Sequence, residues 1–184
     1  IYGSQMSVRA GAVVEILGNV AHYAGGVYMQ SHVSLAVWGN GTRLRVQNNS
    51  AGYIGGGVII MSGSQMSVRA GAAVEILGNA AQDRAGGVWM QEVGTSLAVS
   101  GNGTCLRVQH NSAGGNGGGV YALVESQMSV HAGAMVEILG NVAQIEGGGV
   151  YMEHAGTSLA VWGNGTRLRV QHNSAGGNGG GVYA

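Results

Sequence analysis

Proline, phenylalanine and lysine are all missing from this 184-residue chain, and cysteine and aspartate occur once each, as Cys105 and Asp83. A lone cysteine excludes an internal disulfide framework and any thiolate metal cluster. The eight basic residues are therefore all arginine; they balance eight acidic ones and never form a run. That argues against a nucleic-acid footprint or a polybasic membrane surface. No apolar stretch approaches the roughly 18 to 20 residues of a bilayer-spanning helix. Glycine is abundant, at 37 residues, but lacks the strict three-residue period of collagen. A hydrophobic fraction of 45% without proline is also unlike a disordered tail. The length suits one domain.

What is present repeats. Ser4-Gln5-Met6-Ser7-Val8 returns at Ser64 and at Ser126, and a finer period lies beneath. Asn19, Asn49, Asn79, Asn111, Asn141 and Asn173 stand at spacings of 30, 30, 32, 30 and 32 residues. Each lies two residues before an alanine and is followed by a glycine cluster and a valine. Such a period signals a solenoid, propeller or array. Before each Asn stand two apolar residues spaced by two, such as Val14 and Ile16 or Leu44 and Val46, with a charge between them. That alternation is a half-buried strand. Met6/Val8 and Val27/Met29 repeat it elsewhere in the unit. No window shows a capped helical period. The expected fold is all-β: a right-handed parallel β-helix of about six three-stranded coils, the hand following the rule for parallel crossovers. The coils fall at about 4–30, 31–63, 64–93, 94–125, 126–155 and 156–184.

The charge between the apolar pair reads Glu15, Arg45, Glu75, Arg107, Glu137, Arg169 down the chain. In-register stacking would place opposite charges above one another, so the ladder sets register; each exposed pair contributes only about 0 to 1 kcal/mol. Ala12/Thr42/Ala72/Thr104/Ala134/Thr166 alternates with the same two-coil rhythm. The Asn column is expected at corners, in a left-handed backbone conformation, with side chains bonded to the Asn above and below. The Gly11, Gly41, Gly71, Gly103, Gly133, Gly165 column fits corners with positive φ.

The motif over each unit is an apolar residue, two free positions, Asn, one free, Ala, a variable stretch, then Gly-Gly-(Gly)-Val and usually an aromatic. Ile16 through Tyr28 and Val108 through Tyr121 show it. It resembles the repeat of chlamydial polymorphic outer-membrane proteins, whose paired motifs are FxxN and GGA(I/L/V). Here Ile or Val stands in place of Phe, and Gly or Val in place of the motif's Ala. The resemblance implies an autotransporter adhesin with a right-handed β-helix passenger at the cell surface and a host protein or glycan as partner. Similar Gly- and Val-rich coils look like those of giant surface proteins in protists and algae.

Enzyme chemistry finds little to work with. Polysaccharide lyases and hydrolases need clustered carboxylates, whereas Glu15, Glu75 and Glu137 lie two coils apart with arginine between them. His110 and His172 share a column but are also two coils apart, too far for one zinc. No catalytic, cofactor or metal residue is assigned. Tyr28, Trp89, Tyr121, Tyr151 and Tyr183 form an outward aromatic column that is a candidate contact ridge or a cross-coil stack. A further column, Arg9, Trp38, Arg69, Ser100, His131 and Trp162, aligns if a corner absorbs one residue of slip. Asn40, Asn102 and Asn164, with Asn48, head N-glycosylation sequons, although Asn-Gly is equally a turn signal.

Both ends lack a polar cap, so an excerpt of a longer array that self-associates end to end or laterally is expected. The functional expectation is a structural segment of a long extracellular or cell-surface fibre. An adhesin passenger is the alternative, with variable corners such as 81–85 and 143–146 carrying specificity. A carbohydrate-active enzyme is the remote third.

Overall fold

The computed structural model describes residues 3–184. Alternating β-branched and polar residues form four short strands in the first turn: β1 (Gln5–Arg9), β2 (Val13–Leu17), β3 (Val20–Ala21) and β4 (Val27–Met29). The pattern occurs six times in all and closes with Ser158–Trp162, Arg167–Gln171, Ser174–Ala175 and Val182–Tyr183. Each strand pairs only with its equivalents in adjacent turns, giving four parallel sheets of six strands. The described chain is an all-β parallel solenoid without a helix. At about 4.8 Å per turn the stack is roughly 30 Å tall.

Each turn carries four strands where the sequence pattern predicts three. The added one is the pair that follows the Asn, such as Val20–Ala21 or Ser50–Ala51. Its alanine points inward and is buried in the four internal turns.

Register is uniform. Val14, Leu44, Val74, Leu106, Val136 and Leu168 stack in one column, and Ile16, Val46, Ile76, Val108, Ile138 and Val170 in the next. They belong to one core running the length of the molecule, joined by Met66, Leu97 and Met128 from the first sheet and Val58, Val88 and Val120 from the fourth. A second, smaller core of Ile59, Trp89, Tyr121, Leu123 and Tyr151 lies outside it.

Corners set the two-turn rhythm. Odd turns bend after the first sheet through Ala10-Gly11, both at positive φ, with Ala12 N donating to Arg9 O. Even turns insert one more residue, Gly39, Gly101 or Gly163, at φ near 100°. That insertion is the slip that brings Arg9, Trp38 and Arg69 into register. The Thr of each even turn then ties the corner to the turn before. Thr42 Oγ1 donates to Trp38 O and accepts from Gly11 N, both at 3.0 Å. Thr104 and Thr166 repeat this with Gly71 and Gly133.

Candidate functional surface

The Asn column is a continuous hydrogen-bond ladder. Asn79 donates through both its backbone N and Nδ2 to Asn111 Oδ1 at 2.9 Å. Asn111 does the same to Asn141, and its Nδ2 also donates to Ile76 O. The ladder runs from Asn19 to Asn173, and the four internal asparagines are buried. The expected left-handed conformation is corrected by the structure. Positive φ belongs to the residue before each Asn: Gly18, Asn48, Gly78, His110, Gly140 and His172. The left-handed residue makes the bend, which leaves the Asn free to offer its own N–H and side chain to the ladder.

The charge column is equally continuous. Arg45 donates from Nη1 to Glu15 at 3.2 Å and from Nε to Glu75 at 3.0 Å. Arg107 bridges Glu75 and Glu137 in the same manner, and Arg169 reaches Glu137 at 3.3 Å. Arg45 and Arg107 thus each address one turn through Nη1 and the other through Nε. The Glu75 and Glu137 side chains are only 12% exposed, so these pairs are worth more than fully solvated ones.

The aromatic column does not form an exposed ridge. Trp89, Tyr121 and Tyr151 are 4%, 1% and 7% exposed, stacked face to face with ring centroids 4.7 Å apart. Tyr28 and Tyr183, in the outer turns, keep partial exposure. The correction has a local cause. At the corner before each fourth-sheet strand stands a small residue at positive φ: Ala24, Gly55, Ala85, Gly117, Gly147 or Gly179. A Cβ on Gly117 would stand 2.7 Å from Tyr121 Cβ, and one on Gly147 2.6 Å from Tyr151 Cβ. The corner therefore folds onto the ring from one side, while Leu123 and Val124 close the other. Tyr121 donates its hydroxyl to Glu153 at 2.8 Å, and Arg84 lies 5.9 Å over its ring. Burial first, then the Glu153 hydrogen bond, pushes the Tyr121 phenol well above its usual range; burial also raises Tyr151.

Asn40, Asn102 and Asn164 are exposed at the corners after the first sheet, whereas the sequon threonines Thr42 and Thr104 are 1% exposed and doubly bonded. Asn48 is exposed too. These side chains lean on the following turn. A Cβ on Gly71 would meet Asn40 Oδ1, and one on Gly133 would meet Asn102 Oδ1. Asn48 over Gly78 and His110 over Gly140 follow the same rule. A bulky residue in an even turn therefore covers a glycine in the odd turn after it.

Other reactive groups are dispersed. Among the described residues no three His, Cys, Asp or Glu side chains gather as a metal site, and no helix is long and apolar enough to cross a membrane. Cys105 is buried, and desolvation raises its thiol pKa. A cavity of about 420 Å³ is lined by Met152, Glu153, His154, Gly156, Thr157 and Ala184. It marks the edge where the fourth sheet ends with Val182–Tyr183, leaving Met152 and Glu153 unpaired on that side.

One exposed feature escapes the repeat reading. His22, Tyr23 and Tyr53 cluster at the variable corners of the first two turns. Tyr23 and Tyr53 meet edge to face at 5.6 Å and are 48% and 40% exposed. The signal was a tyrosine four residues after the Asn in two successive units, Tyr23 after Asn19 and Tyr53 after Asn49. On the first sheet His131 stacks on Trp162 at 4.6 Å, the outermost aromatic pair of that face.

The class defined by these observations is the parallel β-solenoid. Compared with known protein families, curated proteins and solved structures, the chain matches none of them.

Proposed function

We propose that the chain is a non-enzymatic structural segment of a long extracellular or cell-surface fibre, coiled in the right-handed sense common to parallel crossovers. The observation that carries this reading is uniformity. The Asn ladder, the charge ladder and both apolar columns pass through six turns without a break. A site built for a soluble ligand would interrupt such columns with large insertions, and the corners differ by only one or two residues. Inter-turn hydrogen bonds directed along the axis make a rod that resists bending and local opening.

A second reading, an adhesin that contacts host protein or glycan, is favoured by one observation: the exposed His22–Tyr23–Tyr53 cluster. Aromatic faces of this kind suit sugars and apolar peptide side chains. In a eukaryotic secretory route Asn40, Asn102 and Asn164 would be the glycan acceptors, since all three are exposed at corners of the solenoid.

The test is immunogold labelling of intact source cells with antibodies to the exposed 22–23 and 53 corner, followed by imaging of shed material. Label along thin continuous fibres supports the structural reading. Label on isolated surface particles moves the conclusion to the adhesin, and label confined to the cell interior removes both.

A further inference from the structure

One dipeptide, Asn-Gly, occurs in two opposite settings inside the solenoid. Asparagine is a thermolabile residue, most of all before glycine, where no side chain shields the following backbone nitrogen. Asn40-Gly41 and Asn102-Gly103 form the corners after the first sheet in the second and fourth turns, and all four residues are exposed. Thr42 N donates to Gly39 O and Thr104 N to Gly101 O, each closing a four-residue turn with the Asn and Gly at its centre. Among the described residues, Gly41 N and the Asn40 side-chain amide have no hydrogen-bond partner, and the same holds for Gly103 N and Asn102. A Cβ on Gly41 would find only Gly11 Cα, at 3.9 Å, and one on Gly103 only Gly71 Cα, at 3.8 Å. The peptide plane between Asn and Gly therefore has room to turn.

Asn116-Gly117, at the variable corner of the fourth turn, is held on every side. Gly117 N donates to Glu146 O at 2.9 Å, so the nitrogen that would react is occupied. Asn116 Oδ1 accepts from Glu146 N at 3.1 Å, and Asn116 O accepts from Ala85 N at 3.0 Å. Gly117 is buried, with Tyr121 where its Cβ would be. The ladder asparagines are closed in a similar way. Ser112 N, next after Asn111, donates to Asn79 O, and the Asn111 amide is taken up by Asn79, Ile76 and Asn141.

We propose that Asn40 and Asn102 are sites of spontaneous deamidation in the folded chain, and that Asn116 is not. The Gly41 nitrogen attacks Asn40 Cγ, the C–N bond of the side-chain amide breaks, and its nitrogen leaves as ammonia, carrying the Gly41 amide proton. Water then opens the cyclic imide at either carbonyl, which gives aspartate or its isomer linked through the side-chain carbon. Water is the only reactant consumed, and no oxidant or enzyme takes part. Gly103 and Asn102 react in the same way. Each event adds one negative charge to a chain whose formal net charge is zero. The isomer also lengthens the backbone of the corner just before Thr42, whose hydroxyl ties Trp38 O to Gly11 N. Because this corner belongs to every even turn, the new carboxylates line one edge of the solenoid. The inference stands on the corners alone and holds for a fibre and an adhesin alike.

The experiment incubates the 184-residue chain in mildly alkaline, heavy-oxygen water, once folded and once unfolded in urea. Acid proteolysis and fragment mass spectrometry read each asparagine at intervals, and circular dichroism verifies that the first sample stays folded. The time course ends when Asn102 has fully converted in urea. There all three Asn-Gly sites should convert at similar rates, since only flanking sequence distinguishes them. In the folded chain Asn40 and Asn102 should still take up the label and release ammonia, seen on ion exchange as successive acidic species. Asn116 should convert at least about tenfold more slowly than Asn102, because about 1.4 kcal/mol of local opening is already a factor of ten. If either Asn40 or Asn102 stays intact in the folded chain while its unfolded counterpart converts, the proposal is overturned. Folded Asn116 reacting as fast as Asn102 overturns it equally, since the Glu146 hydrogen bonds would then protect nothing.

Discussion

Removing one internal rung of the Asn ladder tests whether the ladder holds the solenoid or merely decorates it. The Asn111 side chain accepts from Asn79 N and Asn79 Nδ2 and donates to Ile76 O and Asn141 Oδ1. Asn111→Ala deletes all of these at a site that is fully buried. Two donors on Asn79 lose their acceptor, and an orphaned buried donor costs about 1–3 kcal/mol. The expected loss is therefore about 3–5 kcal/mol, large against the marginal stability of a domain. Asn19 is the control, because its side chain makes a single ladder bond and lies in the exposed first turn. Asn19→Ala should cost a small fraction of that amount. Urea unfolding of both variants beside the parent gives the comparison, and hydrogen exchange localises it. The Asn79 amide, which donates to Asn111 Oδ1, should lose its protection in Asn111→Ala, while the Asn141 amide, which donates to Asn173 Oδ1, keeps most of its own. Equal midpoints for the two variants, with Asn79 still protected, would refute the reasoning and leave register to packing alone.

Tyr121→Phe should remove part of an alkaline instability. The folded phenol is held above its unfolded value, so the unfolded chain releases that proton first and stability falls above about pH 10, by at most about 1.4 kcal/mol per pH unit for this one group; urea titrations between pH 8 and 11 would read the change in slope. Trp89→Ala should cost about 3–5 kcal/mol, as for a core aromatic, because the ring is buried between Ile59 and Tyr121; a loss near zero in urea melts would return it to the surface. Cys105 should react with a thiol reagent only on unfolding, its thiol being buried and its ionisation suppressed, and rapid labelling of the native chain would contradict the burial. Ser126→Ala should leave stability unchanged or raise it slightly, since Ser126 Oγ is buried without a hydrogen-bond partner; a loss above about 1 kcal/mol in thermal melts would show a hidden partner.

Much of the architecture is legible because in-register stacking converts chemistry into columns. The alternation of Glu15 with Arg45 makes sense only if the two side chains face each other, and they do. The apolar pairs flanking them mark the core without any structural knowledge. What escapes is whatever two residues cannot express. The Val20–Ala21 strand is too short to show a period, so it reads as part of a corner. Left-handed backbone at the column before the Asn was hidden because its occupants alternate between glycine and a larger polar residue. Alternation also says that Tyr121 points away from the main core, but not that a corner folds back over it. The cue lay in Ala24, Ala85 and Gly117, small residues where the ring needs room, and in the apolar Leu123–Val124 that follow. The exposed cluster of His22, Tyr23 and Tyr53 depends on how two loops meet in space, which no single column records.

The pairing of a bulky corner residue with a glycine in the following turn also governs how such a chain can grow or shrink over evolutionary time. Unequal recombination that removes two turns brings Asn48 over Gly140 and Arg45 beside Glu137, combinations the fold already uses. Loss of a single turn, such as the third, brings Asn48 against His110 and Arg45 against Arg107, and removes the Gly71 N–H that Thr104 Oγ1 accepts. Length is thereby quantised. Copies inherited in blocks of two turns fold at once, whereas odd-numbered products must first be repaired by point mutation, so the genetic unit of this array is the pair and not the single coil.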